Sequence, residues 1–145
     1  MARRPLDVDR VRAFLTALPA RPGILATTRS DGRPHVAPVW YAVDDDGTIV
    51  FNTGEATVKG RNLRRTGYAA MSVDDDAPPF SFVTVEGPVT IVQDLDDVRH
   101  WAGVIGGRYM GADRADEYGG RNGVPGELVV RLSPDKIVSA FDIAD

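Results

Sequence analysis

No cysteine occurs in this chain of 145 residues, which removes disulfide frameworks, thiol nucleophiles, iron–sulfur clusters and cysteine-ligated zinc together. Histidine is almost as scarce. His35 and His100 are the only two, too few nitrogen ligands for a metal site to be expected. Lysine stands only at 59 and 136, and arginine supplies the other fifteen cations, a bias that fits a high-GC bacterial genome and makes each lysine worth scrutiny. Acids outnumber bases, for a net charge of −4; a general nucleic-acid binder needs a broad basic face, so none is expected. No apolar run approaches the length that spans a bilayer. At the N-terminus Pro5, Asp7, Asp9 and Arg10 occupy the place of a signal core, so a cytoplasmic protein without a membrane partner is expected.

The remainder is ordinary: 43% hydrophobic and 26% charged residues describe one folded domain spanning 1–145, large enough to bury a core without staples. Asp7 can cap a helix with apolar positions at Val8, Val11, Phe14, Leu15 and Leu18, ended by Pro19 and Pro22-Gly23. Strand-like stretches follow at 23–28 and 34–43, separated by the turn Ser30-Asp31-Gly32, and Asp45-Asp46-Gly47 returns the chain into 48–53. These three strands read as a meander. A short helix is expected over 56–65, a strand over 68–73, and a long strand over 81–92 bent at Gly87-Pro88. Asp94 begins a second long helix, weakened at Gly106-Gly107; a short helix is expected near 113–118, and 127–132 with 136–141 read as a terminal hairpin. The triplets Asp44-Asp45-Asp46 and Asp74-Asp75-Asp76 read as solvated turns. About seven strands with flanking helices, joined mostly antiparallel, predict a mainly β (α+β) fold, a small closed or split β-barrel in which the long bent strand serves both halves.

Several standard sites fail on inspection. The stretch 54–59 imitates a phosphate-binding P-loop without its second glycine or the hydroxyl after the lysine; no dinucleotide fingerprint or Gly-x-Ser-x-Gly elbow is present. His35 near Asp31 reads more simply as a polar strand residue than as part of a triad. The segment from Thr53 to Arg65 is different, because Lys59, Arg61, Arg64 and Arg65 fall within seven residues where a strand passes into a helix. Helix N-terminal amides, a hydroxyl and a lysine make an anion site suited to one phosphate, and a solvated basic helix face is the plainer alternative. Pro38-Val39-Trp40-Tyr41 lies in a strand expected to neighbour 49–53, where a flat aromatic ligand can lie with its phosphate toward Lys59. Trp40 taken alone reads more simply as core than as ligand wall.

Four motifs in order carry a resemblance: Gly32-Arg-Pro-His-Val-Ala-Pro-Val-Trp-Tyr41; Thr53, Thr57, Lys59 and Arg61-Asn62-Leu63-Arg64-Arg65; Val85-Glu-Gly-Pro-Val89; and Arg108-Tyr-Met-Gly111. Over about residues 7–143 the chain resembles the pyridoxamine 5′-phosphate oxidase-like, FMN-binding split β-barrel superfamily, and within it the flavin/deazaflavin oxidoreductase branch (class B type) that uses coenzyme F420. It departs at Thr66-Gly67-Tyr68, where that branch usually has Asp-Pro-Arg. The resemblance implies a homodimer with two cofactors at the subunit interface and the deazaflavin over Pro38, Val39 and Trp40. It implies that Thr57, Lys59 and Asn62 bind the phosphodiester, with Thr53 and Arg61 beside it, and that Arg33 and His35 line the path of the acidic tail. Phe80, Ser81 and Phe82 of the paired subunit would complete the wall. The expected activity is hydride transfer from reduced F420 to a small unsaturated organic substrate. The proton comes from solvent or from Tyr41, a choice the residues leave open. An FMN-dependent oxidoreductase and a non-catalytic F420 carrier on the same barrel are the alternatives.

Overall fold

The computed structural model describes residues 6–145; residues 1–5, where the reading against a targeting signal begins, lie outside the described part. Helix α1, Val8–Thr16, starts where the Asp7 carboxylate accepts the Arg10 amide at 2.9 Å and buries Val11 and Leu15 against the barrel. Strand β1, Gly23–Thr28, turns at Asp31-Gly32 into β2, Pro34–Val39. The run expected as one strand over 34–43 then breaks at Trp40-Tyr41, and β3 is only Ala42–Val43. No glycine or proline causes the break. The Tyr41 ring turns into the barrel, fully buried, and its hydroxyl donates to the Leu15 carbonyl at 2.7 Å, a pull stronger than the local extended preference.

Strand β4, Ile49–Gly54, leads into helix α2, Val58–Thr66. After it come β5, Tyr68–Asp75, and the twelve-residue β6, Ser81–Val92. Asp74 and Asp75 extend β5, pairing with Phe82 and Ser81, instead of forming a turn. Helix α3, Leu95–Met110, runs through Gly106-Gly107 without a break. A Cβ at Gly106 would collide with Tyr118 of helix α4, Ala115–Asn122, so this glycine permits close helix packing and does not end the helix. A 3-10 turn, Ala112–Arg114, joins the two. The last strands are β7, Glu127–Leu132, and β8, Lys136–Ala140.

The expected meander is kept at its two turns, where β1 pairs with β2 and Ala42–Val43 with β4, but it splits at Trp40-Tyr41, and the terminal hairpin gives way to longer-range pairing. The sheet order is β2-β1-β5-β6-β7-β4-β3, with β8 on β6, so β2 pairs with β1 and not with β4, and β7 and β8 pair with different halves of β6 rather than with each other. Gly87 marks the change of partner. A side chain there would collide with the Ser133 carbonyl of the β7–β8 connection, which explains the glycine in a strand. Because β2 and β3 stand at opposite ends of this order yet are joined by two residues, the sheet must curl on itself. The result is a split β-barrel with flanking helices, as expected from the sequence.

Alternate residues fill the interior, with Leu25, Phe51, Met71, Val83, Val85 and Leu128 almost wholly buried. Strands β4 and β7 are buried on both faces, since Val50 and Val129 pack outward against Val98 of α3. The other half differs. On the outer face of β2-β1-β5-β6-β8, Ile24, Val36, Tyr68 and Val138 are exposed. No helix among the described residues is long and apolar enough to cross a membrane.

Candidate functional site

Curling the sheet leaves a gap between the end of β2 and the start of α2, and this gap is a cleft of ≈ 360 Å³, within the range of small-molecule sites. Pro38, Val39 and Trp40 form one wall; Asn52, Thr53, Gly54, Thr57 and Lys59 form the other; Ala102, Ile105 and Gly106 of α3 close the floor, with Asn122 and Glu127 at the rim.

The turn from β4 into α2 is held by its own hydroxyls. Thr57 caps the helix: its Oγ1 accepts the Gly60 amide at 3.0 Å and donates to the Gly54 carbonyl at 2.7 Å. With that proton committed, the Thr53 hydroxyl donates to Thr57 across 3.1 Å. The amides of Val58 and Lys59, the first two residues of the helix, have no protein acceptor among the described residues, as expected for a helix N-terminus. The half-buried Lys59 side chain likewise makes no ion pair or hydrogen bond among the described residues. An ammonium with no carboxylate within ion-pair distance, on the same helical turn as two amides without acceptors, is a donor set for one phosphate.

Trp40 is held from behind by α3. Its ring stacks on Tyr109 at 4.9 Å between centroids and 3° between planes. The Tyr109 hydroxyl donates to the Arg21 carbonyl at 2.8 Å and accepts the Tyr41 amide at 3.3 Å; burial pushes its pKa up to about 12. Arg108 donates to the carbonyls of Leu15 and Tyr41 at 2.7 and 3.4 Å and lies over the Tyr41 ring. Thus the Arg108-Tyr109 motif braces the wall from outside the cleft.

Six of the ten residues expected at the cofactor line this cleft: Pro38, Val39, Trp40, Thr53, Thr57 and Lys59. The other four do not. Arg33 is exposed in the β1–β2 turn, paired with Asp31 at 2.8 Å. His35 lies along β2 with its Nδ1 buried and unpartnered. Arg61 points to solvent from α2. Asn62 is buried: its amide donates to Thr27 Oγ1 at 3.1 Å and accepts from Arg65 at 3.1 Å. It ties α2 to β1 and holds Lys59 in place indirectly. Tyr41 is corrected as a proton source, because its hydroxyl is fully buried and already donated to Leu15, and burial raises its pKa. Sequence reasoning missed Asn52, Asn122, Glu127 and the α3 floor, since only the β4–β7 pairing and the packing of α3 and α4 bring them to the cleft.

Residues 8–139 match the family described as pyridoxamine 5′-phosphate oxidase. The chain belongs to this family. Among solved structures, this pyridoxamine 5′-phosphate oxidase-family chain is similar to a conserved hypothetical protein of Mycobacterium tuberculosis, with 26% identity and a TM-score of 0.79 over 93% of this chain and 84% of that one. An F420 reductase is 29% identical, with a TM-score of 0.64 over 81% of this chain and 89% of the other. The heme storage protein HutZ of Vibrio cholerae shares the fold at 16% identity, with a TM-score of 0.71 over 95% and 98% of the two chains. The family is of oxidoreductase type.

Proposed function

We propose that the protein is an F420-dependent reductase that passes a hydride from the reduced deazaflavin to an electron-poor double bond in a small organic substrate. One observation carries this reading: the unpartnered Lys59 ammonium and the Pro38–Trp40 wall face the same cleft. The similarity to an F420 reductase supports it. The donor set fits a phosphodiester, since Lys59 and the Val58 and Lys59 amides supply one charge and two N–H groups, enough for one anionic centre. Thr53 and Thr57 fix the turn that aims them.

When bound, reduced F420 supplies the hydride. The chain orients the ring against the β2 end, where Trp40 is held flat by Tyr109, and α3 excludes water from the floor. With the Tyr41 hydroxyl turned into the barrel, solvent at the open side provides the proton. His35 lies on β2 and Arg33 in the turn just before it; at about 3.3 Å per residue Arg33 stands about 16 Å from Pro38, a span suited to a long acidic tail. The cleft of one chain encloses only part of such a ligand, whereas small-molecule sites usually bury most of theirs. A homodimer that covers the bare outer sheet face would supply the missing wall, with Phe80, Ser81 and Phe82 of the second copy as candidates.

Anaerobic titration with F420 and with FMN, followed by mixing the reduced complex with enones and quinones, tests the proposal. F420 should bind more tightly and be reoxidised by at least one acceptor. Protein that purifies yellow and releases stoichiometric FMN would overturn the choice of cofactor. Tight F420 binding without turnover of any acceptor would leave a carrier.

A further inference from the structure

Lys59 and Glu127 are the two charged side chains that line the cleft. Glu127 opens β7 and stands opposite Gly54 in the β4–β7 ladder. Its Oε1 lies 3.7 Å from the point a Gly54 Cβ would occupy, a point that is also 3.3 Å from the Thr57 methyl, so the carboxyl sits beside the turn that leads to Lys59. The side chain is half-buried and has no hydrogen-bond or ion-pair partner among the described residues. A carboxylate directed at an anion site is a cost that a plain phosphate-binding pocket avoids.

We propose that Glu127 selects the charge of the phosphate group: it admits a phosphodiester monoanion and disfavours a phosphate monoester dianion. The inference rests on the F420 reading and deepens it, because F420 is joined through a phosphodiester with one negative charge, whereas FMN ends in a monoester that carries nearly two at neutral pH. One lysine facing one glutamate gives a site of formal charge zero. Repulsion from a fixed carboxylate scales with the ligand's charge, so the dianion is penalised about twice as much as the monoanion. Burial raises the Glu127 pKa while Lys59 opposes the rise, as expected for a carboxyl that faces the cleft rather than bulk water. The device rejects the commoner flavin without any contact to its ring.

The test compares wild type, Glu127→Gln and Glu127→Asp, titrated with FMN, riboflavin and F420, with thermal melts to verify folding. In Glu127→Gln, FMN affinity should rise about ten-fold and F420 affinity about three-fold, with riboflavin unchanged within about two-fold. Glu127→Asp keeps the charge and should keep the discrimination. Where FMN binding to wild type is too weak to detect, its appearance in Glu127→Gln supports the proposal and its continued absence overturns it. Equal changes for FMN and riboflavin, or for FMN and F420, would also overturn it. If wild type fails to bind F420 at all, the reductase reading falls, yet the FMN and riboflavin arms still decide what Glu127 does.

Discussion

The rings of Trp40 and Tyr109 lie 3° from parallel with centroids 4.9 Å apart, so a residue of the β2–β3 link is oriented by a residue near the end of α3. Two hydrogen bonds fix the Tyr109 phenol in turn. Tyr109→Leu removes the stack, worth about 0.5–1.5 kcal/mol, and leaves the Trp40 ring without its backing. F420 affinity should fall about three- to ten-fold, and tryptophan emission should change before ligand is added. Tyr109→Phe keeps the stack and should retain most of the affinity.

Lys59→Ala should weaken F420 binding about ten- to a hundred-fold, the loss of a charge-assisted hydrogen bond of roughly 1.5–3 kcal/mol. Lys136→Ala is the control: that lysine makes only a 3.7 Å pair with Glu86 at 65% exposure, and its removal should leave binding unchanged by calorimetry. Equal F420 affinity for wild type and Lys59→Ala would return the basic helix to a solvated face.

Asn62→Leu should lower stability rather than act first on the ligand. It strands the buried Thr27 hydroxyl beneath α2, a cost of about 1–3 kcal/mol, read as a drop of several degrees in Tm. An unchanged melt combined with lost F420 binding would mark Asn62 as a direct ligand after all.

The assembly prediction concerns the bare sheet. Light scattering at micromolar concentration should give twice 15.7 kDa, and Val36→Asp, on the exposed face of β2 at 59% exposure, should shift the mass toward the monomer. A monomeric wild type would remove the shared-site model.

Acid should loosen the link between the β3–β4 turn and β7. The Arg131 guanidinium donates to Asp44 at 2.8 Å, and that hydrogen bond, with a second from the Asp45 amide, holds the Asp44 pKa below its usual value. A carboxyl depressed in the folded state contributes stability above the unfolded pKa and loses it as pH falls toward the folded one. Melting temperature should therefore decline below about pH 4, and the decline should be shallower in Asp44→Asn. Identical acid limbs would show that the pair contributes nothing.

Much of this was legible locally. The Asp7 cap and the bounds of β1 are written in adjacent residues and agree with the structure, and the glycine of Gly87-Pro88, expected to bend the long strand, stands where that strand changes partner. What was hidden depends on distant partners. Nothing beside Trp40 announces that Tyr41 will turn inward to Leu15, twenty-six residues earlier in the chain. Nor does 127–132 say that it will pair with β4 and the end of β6 rather than with its neighbour. For the same reason Lys59 could be singled out in the sequence, while Glu127 could not.

The two-residue link from β2 to β3 has a consequence for motion. The cleft walls, β2 and β4 with its following turn, stand at one end and next to the other end of one hydrogen-bonded series of strands, and the series is closed covalently at Trp40-Tyr41, between β2 and β3. Widening the gap therefore means stretching that tether or unpairing strands around the barrel, so the site has no hinge of its own. Amide protons in the β1–β5 and β4–β7 ladders should exchange only as fast as the whole barrel unfolds, whereas the open Val58 and Lys59 amides should exchange freely until a ligand covers them; a ligand that fills the cleft should also slow exchange in the far strands.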